Sequence, residues 1–178
     1  LLFWNKAYNL TAIKQPKEAL IKHILDCLAI LPHLKSGKLL DIGTGAGLPG
    51  VVIAICEPNR EVTVLDSNQK KIRFIRQSVS ELKLTNVTPV ASRIENFVPQ
   101  EHEKFEVITS RAFASLTDFV EAAEPRLAQD GWLQAMKGLI PEPEDINALV
   151  DEWQIDHIAL DVPHLHETRH LTELVKKS

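Results

Sequence analysis

LLDIGTGAGLPG at residues 39–50 decides how the chain is read, because an apolar strand delivers Asp41 into a glycine loop. Leu39, Leu40 and Ile42 suit a parallel strand buried on both faces. Gly43, Gly45 and Gly47 permit a left-handed backbone and close approach to a ligand. Pro49 fits the first position of a helix, whose free amides would then face a bound group. Strand, glycine loop and helix in that order open a nucleotide-binding unit; the alternative is a glycine turn with no ligand.

Outward from the loop the apolar runs alternate in character. An amphipathic helix begins near Pro16, with Leu20, Ile21, Ile24, Leu25, Leu28 and Leu31 at helical spacing. Strand 39–42, helix 49–57, strand 61–66, helix 69–84 and strand 87–91 follow. Then come strand 105–110, helix 116–128, strand 131–136, a helix introduced by Pro141 and Pro143, and strands near 154–162 and 169–175. The pattern predicts a Rossmann-like α/β fold: a mainly parallel seven-stranded sheet with helices on both faces. The last two strands lack a helix between them, so they should form an antiparallel hairpin at one edge. One domain over 1–178 is expected, with an N-terminal helical segment over about 1–35 and no repeats or linker. The chain opens at Leu1 directly upstream of patterned sequence, so some native N-terminal residues are expected to be missing.

The loop fits two cofactor frames. Gly45, Gly47 and Gly50 satisfy the G-x-G-x-x-G dinucleotide pattern. Asp41, Gly43, Gly45 and Gly47 instead form D-x-G-x-G-x-G, the pattern of Rossmann-like methyltransferases that use S-adenosyl-L-methionine (AdoMet). A carboxylate beside the loop can help hold the cationic amino-acid end of AdoMet, whereas it would repel a pyrophosphate. A terminal antiparallel strand also favours the methyltransferase variant. Residues 61–66, ending in Asp66, form a β-branched run whose carboxylate can accept hydrogen bonds from both hydroxyls of a ribose. The competing role for Asp66 is to cap the helix starting near Asn68.

Composition is that of an ordinary globular domain: 178 residues, 44% apolar and 25% charged. No apolar run approaches membrane-spanning length and no secretory signal is visible. Cys27 and Cys56 lie in apolar helical patterns without C-x-x-C spacing, as expected of buried thiols in a reducing cytosol. The net charge of −4 argues against nucleic-acid binding only as a single number. Lys70, Lys71, Arg73, Arg76, Lys83 and Arg93 are opposed by Glu81 alone over 68–93, and residues 94–170 are acidic. Such segregation permits a basic face, with a plain solvated helix surface as the alternative.

WNKAYNLT at 4–11, HILD at 23–26, the glycine loop, LDS at 65–67, SRIE at 92–95 and SRAFASL at 110–116 together resemble the RsmG family. These are small-subunit ribosomal RNA guanine-N7 methyltransferases, formerly called glucose-inhibited division protein B. The resemblance runs from Trp4 to the C-terminal strand. It implies a cytoplasmic enzyme that uses AdoMet on 16S rRNA or the small ribosomal subunit, with a monomer as the default state. It also implies AdoMet contacts at Gly43 and Leu48, at Ile94 and Glu95 after the third strand, and at Arg111 after the fourth. Ile94 and Glu95 follow a strand's carboxyl end, where open α/β sheets bind ligands. Arg111 sits in apolar surroundings and needs a partner for its charge; it is also the one candidate for positioning or electrostatic catalysis.

Absent motifs narrow the reaction. Exocyclic amine transfer would call for a (D/N)-P-P-(Y/F) motif after strand four, but residues 109–112 read TSRA. Pyrimidine C5 chemistry needs a nucleophilic Cys there, and ribose transfer a Lys-Asp-Lys-Glu set of which Lys137 alone is suggestive. Guanine N7 carries an in-plane lone pair and no proton, so positioning and preorganised electrostatics suffice. The alternatives are a methyltransferase of another RNA or small molecule, and a nucleotide-binding sensor without catalysis. His164, His166 and His170 have metal-like spacing but no accompanying acid or Cys, so no metal is expected. His23 and Asp26, three apart, should share a helix face and a local hydrogen bond. Lys137, Gly138, Arg169 and His170 recur in the family as candidates for the substrate mouth. Trp4, Trp132 and Trp153 read as packing residues.

Overall fold

A computed structural model describes residues 1–177; Ser178, the last residue of the expected domain, lies outside them. Helix α1 (Leu2–Tyr8) precedes a broken helical segment made of α2 (Pro16–Ala19), a π-helical turn (Leu20–Leu25) and α3 (Asp26–Leu28). Strand β1 (Leu39–Ile42), α4 (Gly50–Cys56), β2 (Val62–Asp66), α5 (Gln69–Glu81) and β3 (Val87–Ala91) follow. Then come β4 (Phe105–Ser110), α6 (Leu116–Ala123), β5 (Leu127–Lys137), α7 (Pro143–Asn147), β6 (Trp153–Ala159) and β7 (His170–Lys176).

The seven strands form one sheet in the order β3-β2-β1-β4-β5-β7-β6. β1 lies parallel to both β2 and β4, placing Asp41 beside Val64 and Thr109. β7 slots antiparallel between β5 and β6. The expected sheet and closing hairpin are therefore present. Strand order reverses between β1 and β4, and at such a switch point the crevice beyond the strands' carboxyl ends is open to a ligand.

Alternation along β1 sends Leu39 and Leu40 to opposite faces, and each face has its own core. Leu40 and Ile42 pack with Ile108, Phe119, Leu133 and Leu174 on one side. Leu39 packs with Ile53, Ile72, Ile75, Val107 and Leu171 on the other, where Trp4 and Tyr8 also rest. Full burial of each such side chain contributes about 1.5–3 kcal/mol. In α5 the buried residues are Ile72, Phe74 and Ile75, while Lys70, Arg73 and Arg76 face water. Asn68 caps the helix by accepting from the Lys70 and Lys71 amides, so the cap belongs to Asn68 and not to Asp66.

Four local expectations are corrected. The segment from Pro16 on is no simple amphipathic helix: its buried residues are Ala19, His23, Asp26, Cys27 and Ile30, and Leu20 is 52% exposed. The π turn takes in an extra residue and rotates the faces before and after it out of register. Helix α4 begins at Gly50, with Pro49 as its N-cap residue. Cys56, at the end of α4, is exposed, whereas Cys27 is buried. Helix α6 ends at Ala123 because Pro125 cannot continue it, and the chain tightens into a 3-10 turn before β5.

Candidate active site

Two depressions lie side by side at the carboxyl edge of the sheet, and the segment after β4 separates them. A cavity of about 430 Å³ is lined by Gly43, Asp66, Ile94, Glu95, Ala112 and Phe113, among others. A cleft of about 390 Å³ is lined by His23, Asp26, Arg111, Lys137, Arg169 and their neighbours. Successive residues thus face different spaces: Arg111 the cleft, Ala112 and Phe113 the cavity.

The glycine loop builds the cavity's floor. Gly43 is left-handed, and a Cβ on it would stand 2.5 Å from the Cβ of Ala112. Any side chain there would push the loop from β1 against the segment from β4. Gly45 donates its amide to Asp66 Oδ2 at 2.9 Å, and Asn68 donates to Oδ1 at 2.8 Å. Each carboxylate oxygen retains acceptor capacity after one bond, and Lys71 Nζ stands 3.8 Å away. Gly47 and Leu48 lie behind the loop. A Cβ on Gly47 would meet Val51 at 2.6 Å, and Leu48 packs against Cys27 and Val52.

Asp41 is fully buried. Its Oδ2 accepts from Thr44 Oγ1 at 2.5 Å and from the Gly50 amide at 2.8 Å, stapling the loop's two ends together. The first amide of α4 is therefore occupied by Asp41, and is not free for a ligand as the sequence led us to expect. Burial pushes the Asp41 carboxyl up to about 7, against the pull of those two donors and of Arg111. Among the described residues Asp41 Oδ1 has no hydrogen-bond partner.

Ile94 and Glu95 occupy a 3-10 turn after β3. Arg126 fastens that turn, donating to the carbonyls of Phe97 at 2.7 Å and Ile94 at 2.5 Å. No motif singled out Arg126. The available signal was an Arg at the end of an apolar helix, beside a proline that stops it.

In the cleft, Arg111 finds the partner its surroundings demand. Its Nη1 lies 3.3 Å from Asp26 Oδ2, and Arg169 Nε lies 3.1 Å from Asp26 Oδ1. Burial raises the Asp26 carboxyl although both guanidiniums oppose it. Glu167 continues the chain of charges, 3.0 Å from Arg169 Nη2 and 2.8 Å from Lys22 Nζ. The expected His23–Asp26 hydrogen bond is absent: Asp26 is committed to the arginines, and His23 Nε2 lies 2.8 Å from Thr11 Oγ1. Burial, then Arg111, lowers the His23 pKa. Lys137 Nζ donates to the carbonyls of Phe113 and Ala114 at 2.7 and 2.9 Å, fixing the segment between the two depressions. Cys27 Sγ is 3.5 Å from Arg111 Nη1, and burial pushes its thiol up to about 12.

Away from the site, Trp4 stacks at a tilt on Tyr8 and Phe74, and Trp153 is buried. Lys70, Arg73, Arg76, Lys83 and Arg93 are exposed, and Lys71 and Arg93 line the cavity's rim. Among the described residues no group of three or more His, Cys, Asp or Glu side chains is arranged to hold a metal, and no helix is long and apolar enough to cross a membrane.

The chain is similar to known proteins along nearly its whole length. It is 83% identical over 176 residues to the ribosomal RNA small subunit methyltransferase G of Psychrobacter sp. (strain PRwf-1), covering 99% of this chain and 78% of that one. Its namesake in Acinetobacter baumannii (strain AYE) is 56% identical over 172 residues, 96% of this chain and 81% of that one. Among solved structures, a SAM dependent methyltransferase from Aquifex aeolicus superposes with a TM-score of 0.65 at 19% identity, covering 94% and 97% of the two chains, which shows a shared fold. The family model GidB, rRNA small subunit methyltransferase G, matches residues 1–172, and the chain belongs to that family.

Proposed function

We propose that the chain transfers the methyl group of S-adenosyl-L-methionine to N7 of a guanine in 16S rRNA of the small ribosomal subunit. The observation that carries this reading is the pair of depressions on either side of residues 111–113, one lined by Gly43, Asp66, Ile94 and Phe113 and the other by Arg111, Lys137, Arg169 and their carboxylate partners. The groups present fit AdoMet. Asp66 keeps acceptor capacity for ribose hydroxyls, Ile94 and Phe113 offer apolar walls for adenine, and Gly43, bare of a Cβ, lets the loop lie against Ala112 at the cavity's floor. Gly45, Gly47, Leu48 and Asp41 act from behind by holding the loop's shape, with the unpaired Asp41 Oδ1 oriented by the same staple.

Bound AdoMet supplies a methyl group activated by its sulfonium. The chain's own task is to bring a nucleophile in line and exclude water. N7 of guanine needs no general base, and two of the cleft's charged side chains are already engaged. Asp26 is held by Arg111 and Arg169, and Lys137 is engaged with two carbonyls. Arg111, pinned by Asp26, presents a fixed positive charge beside the reacting space, available to phosphate or to guanine O6. Pyrimidine C5 chemistry is disfavoured because Cys27 is inaccessible and its thiol is held protonated. A cytoplasmic monomer acting on rRNA or the assembled subunit completes the reading.

Incubation with labelled AdoMet and either unmethylated 16S rRNA or small subunits tests it. Label should enter 16S rRNA. Tight AdoMet binding without transfer to either substrate would instead make the chain a cofactor-binding sensor.

A further inference from the structure

Helix α5 carries its charges where its own stability does not ask for them. Lys70 and Lys71 stand in the first turn, at the positive end of the helix dipole, with no acid beside them, and no cation occupies the last turn. Lys70, Arg73 and Arg76 follow one another at a spacing of three. They form one exposed stripe within about a third of the helix's circumference, while Ile72, Phe74 and Ile75 are buried. Like charges at that spacing are neighbours and repel. The one acid of α5, Glu81, instead accepts from Gln77 at 2.8 Å. Among the described residues the side chains of Lys70, Arg73, Arg76 and Arg93 have no ion-pair or hydrogen-bond partner, whereas Lys71, Arg111 and Arg169 each have a carboxylate. Helix α1, seated on α5 through Trp4 against Phe74, adds the exposed Lys6 and no acid.

The stripe's place matters as much as its charge. β2 ends at Asp66 on the carboxyl edge of the sheet, so α5 starts beside the cavity, where Lys71 and Arg93 line the rim, and leads away from it. Lys70 and Arg76 stand about 9 Å apart along the helix axis. β3, which α5 leads into, forms one edge of the sheet. The opposite edge, β6 with α7 before it, exposes Glu144, Asp151, Glu152 and Asp156. A polyanion is therefore drawn to the β3 side of the molecule and repelled from the β6 side. A row of unneutralised cations beside the site suits a chain of phosphates, whose bound counterions it releases.

We propose that the stripe of Lys70, Arg73 and Arg76, continued by Arg93 at the rim, docks the phosphate backbone of the rRNA outside the target nucleotide. This rests on rRNA as the partner named above. The test neutralises the stripe with Lys70→Gln, Arg73→Gln and Arg76→Gln in one full-length chain, against two controls. Arg73→Lys with Arg76→Lys keeps the charge; Gln129→Glu, Asn147→Asp and Gln154→Glu together make the chain equally more negative on its acidic side. In filter binding with 16S rRNA the neutralised chain should bind at least tenfold more weakly, and its KM for rRNA should rise by a similar factor. Its kcat, AdoMet affinity and Tm should hold. Three lost phosphate contacts should also flatten the slope of log affinity against log salt by about 2–3. Both controls should bind like the wild type. Unchanged affinity and slope in the neutralised chain would overturn the proposal and leave α5 a plain solvated surface. An equal loss in the acidic-side control would overturn it too, by reducing the effect to net charge. Binding is read without transfer, so a wild-type chain that holds rRNA through the stripe but never methylates it would remove the functional reading and leave the docking surface standing.

Discussion

Asp66 offers the sharpest separation between a cofactor residue and a structural one. Its carboxylate accepts from the amides of Gly45 and Asn68, and it lines the cavity with acceptor capacity to spare. A hydrogen bond from a ribose hydroxyl to a charged acceptor contributes about 1.5–3 kcal/mol, which at about 1.4 kcal/mol per decade is roughly 10- to 150-fold in affinity. Asp66→Asn keeps the shape and one carbonyl oxygen, so the loop should survive while AdoMet binds at least tenfold more weakly. Asp66→Ala also strands both amides. That costs about 2 kcal/mol more, or about 4–8 °C in Tm for a chain of this size. Calorimetric titration with AdoMet beside thermal unfolding reads both effects. Unchanged AdoMet affinity in the two variants would refute the assignment, whatever happened to Tm.

Gly43→Ala sets a Cβ 2.5 Å from Ala112 at a φ of 68°, with about 1–2 kcal/mol of backbone strain added; AdoMet binding and turnover should fall well beyond the loss in Tm, and normal binding would show that this close approach does not shape the cofactor site. Asp41 titrates near 7 when folded, above the ordinary carboxylate range, so the stability it lends at about pH 4 is lost as pH rises through 7, roughly 4 kcal/mol in all. Asp41→Asn cannot ionise and should gain that amount relative to wild type between about pH 4 and pH 8 in denaturant unfolding; parallel profiles would contradict the buried-charge account. Arg111→Ala should cut turnover on rRNA at least tenfold while leaving Asp26 paired with Arg169 alone, and wild-type turnover would reject any role for Arg111.

The sheet was legible because burial on both faces imposes an apolar run, as at Leu39 to Ile42, and because one missing helix betrays the antiparallel return of β7. The cavity's walls were legible where strand ends deliver Asp66, Ile94 and Glu95. The cleft was less so, since its central ion pair joins Asp26 to Arg111 across 85 residues of chain, and no local spacing announces such a pairing. The π turn hid which face of the N-terminal segment is buried. The place of Asp41 beside the glycines points it toward a ligand, yet Thr44 three residues on and the Gly50 amide claim it first. Arg126 is not legible in the sequence because its partners are backbone carbonyls, which carry no sequence signature.

The central claim is that the two depressions together deliver a methyl group to a ring nitrogen of guanine in small-subunit rRNA. Its most direct test is to methylate unmodified 16S rRNA with the chain and AdoMet, then treat the RNA with borohydride and aniline, which cleave at 7-methylguanosine. Strand scission at a guanine, dependent on both chain and AdoMet, is the predicted result. Incorporated methyl without scission, traced to an exocyclic amine, a ribose or a pyrimidine, would contradict it.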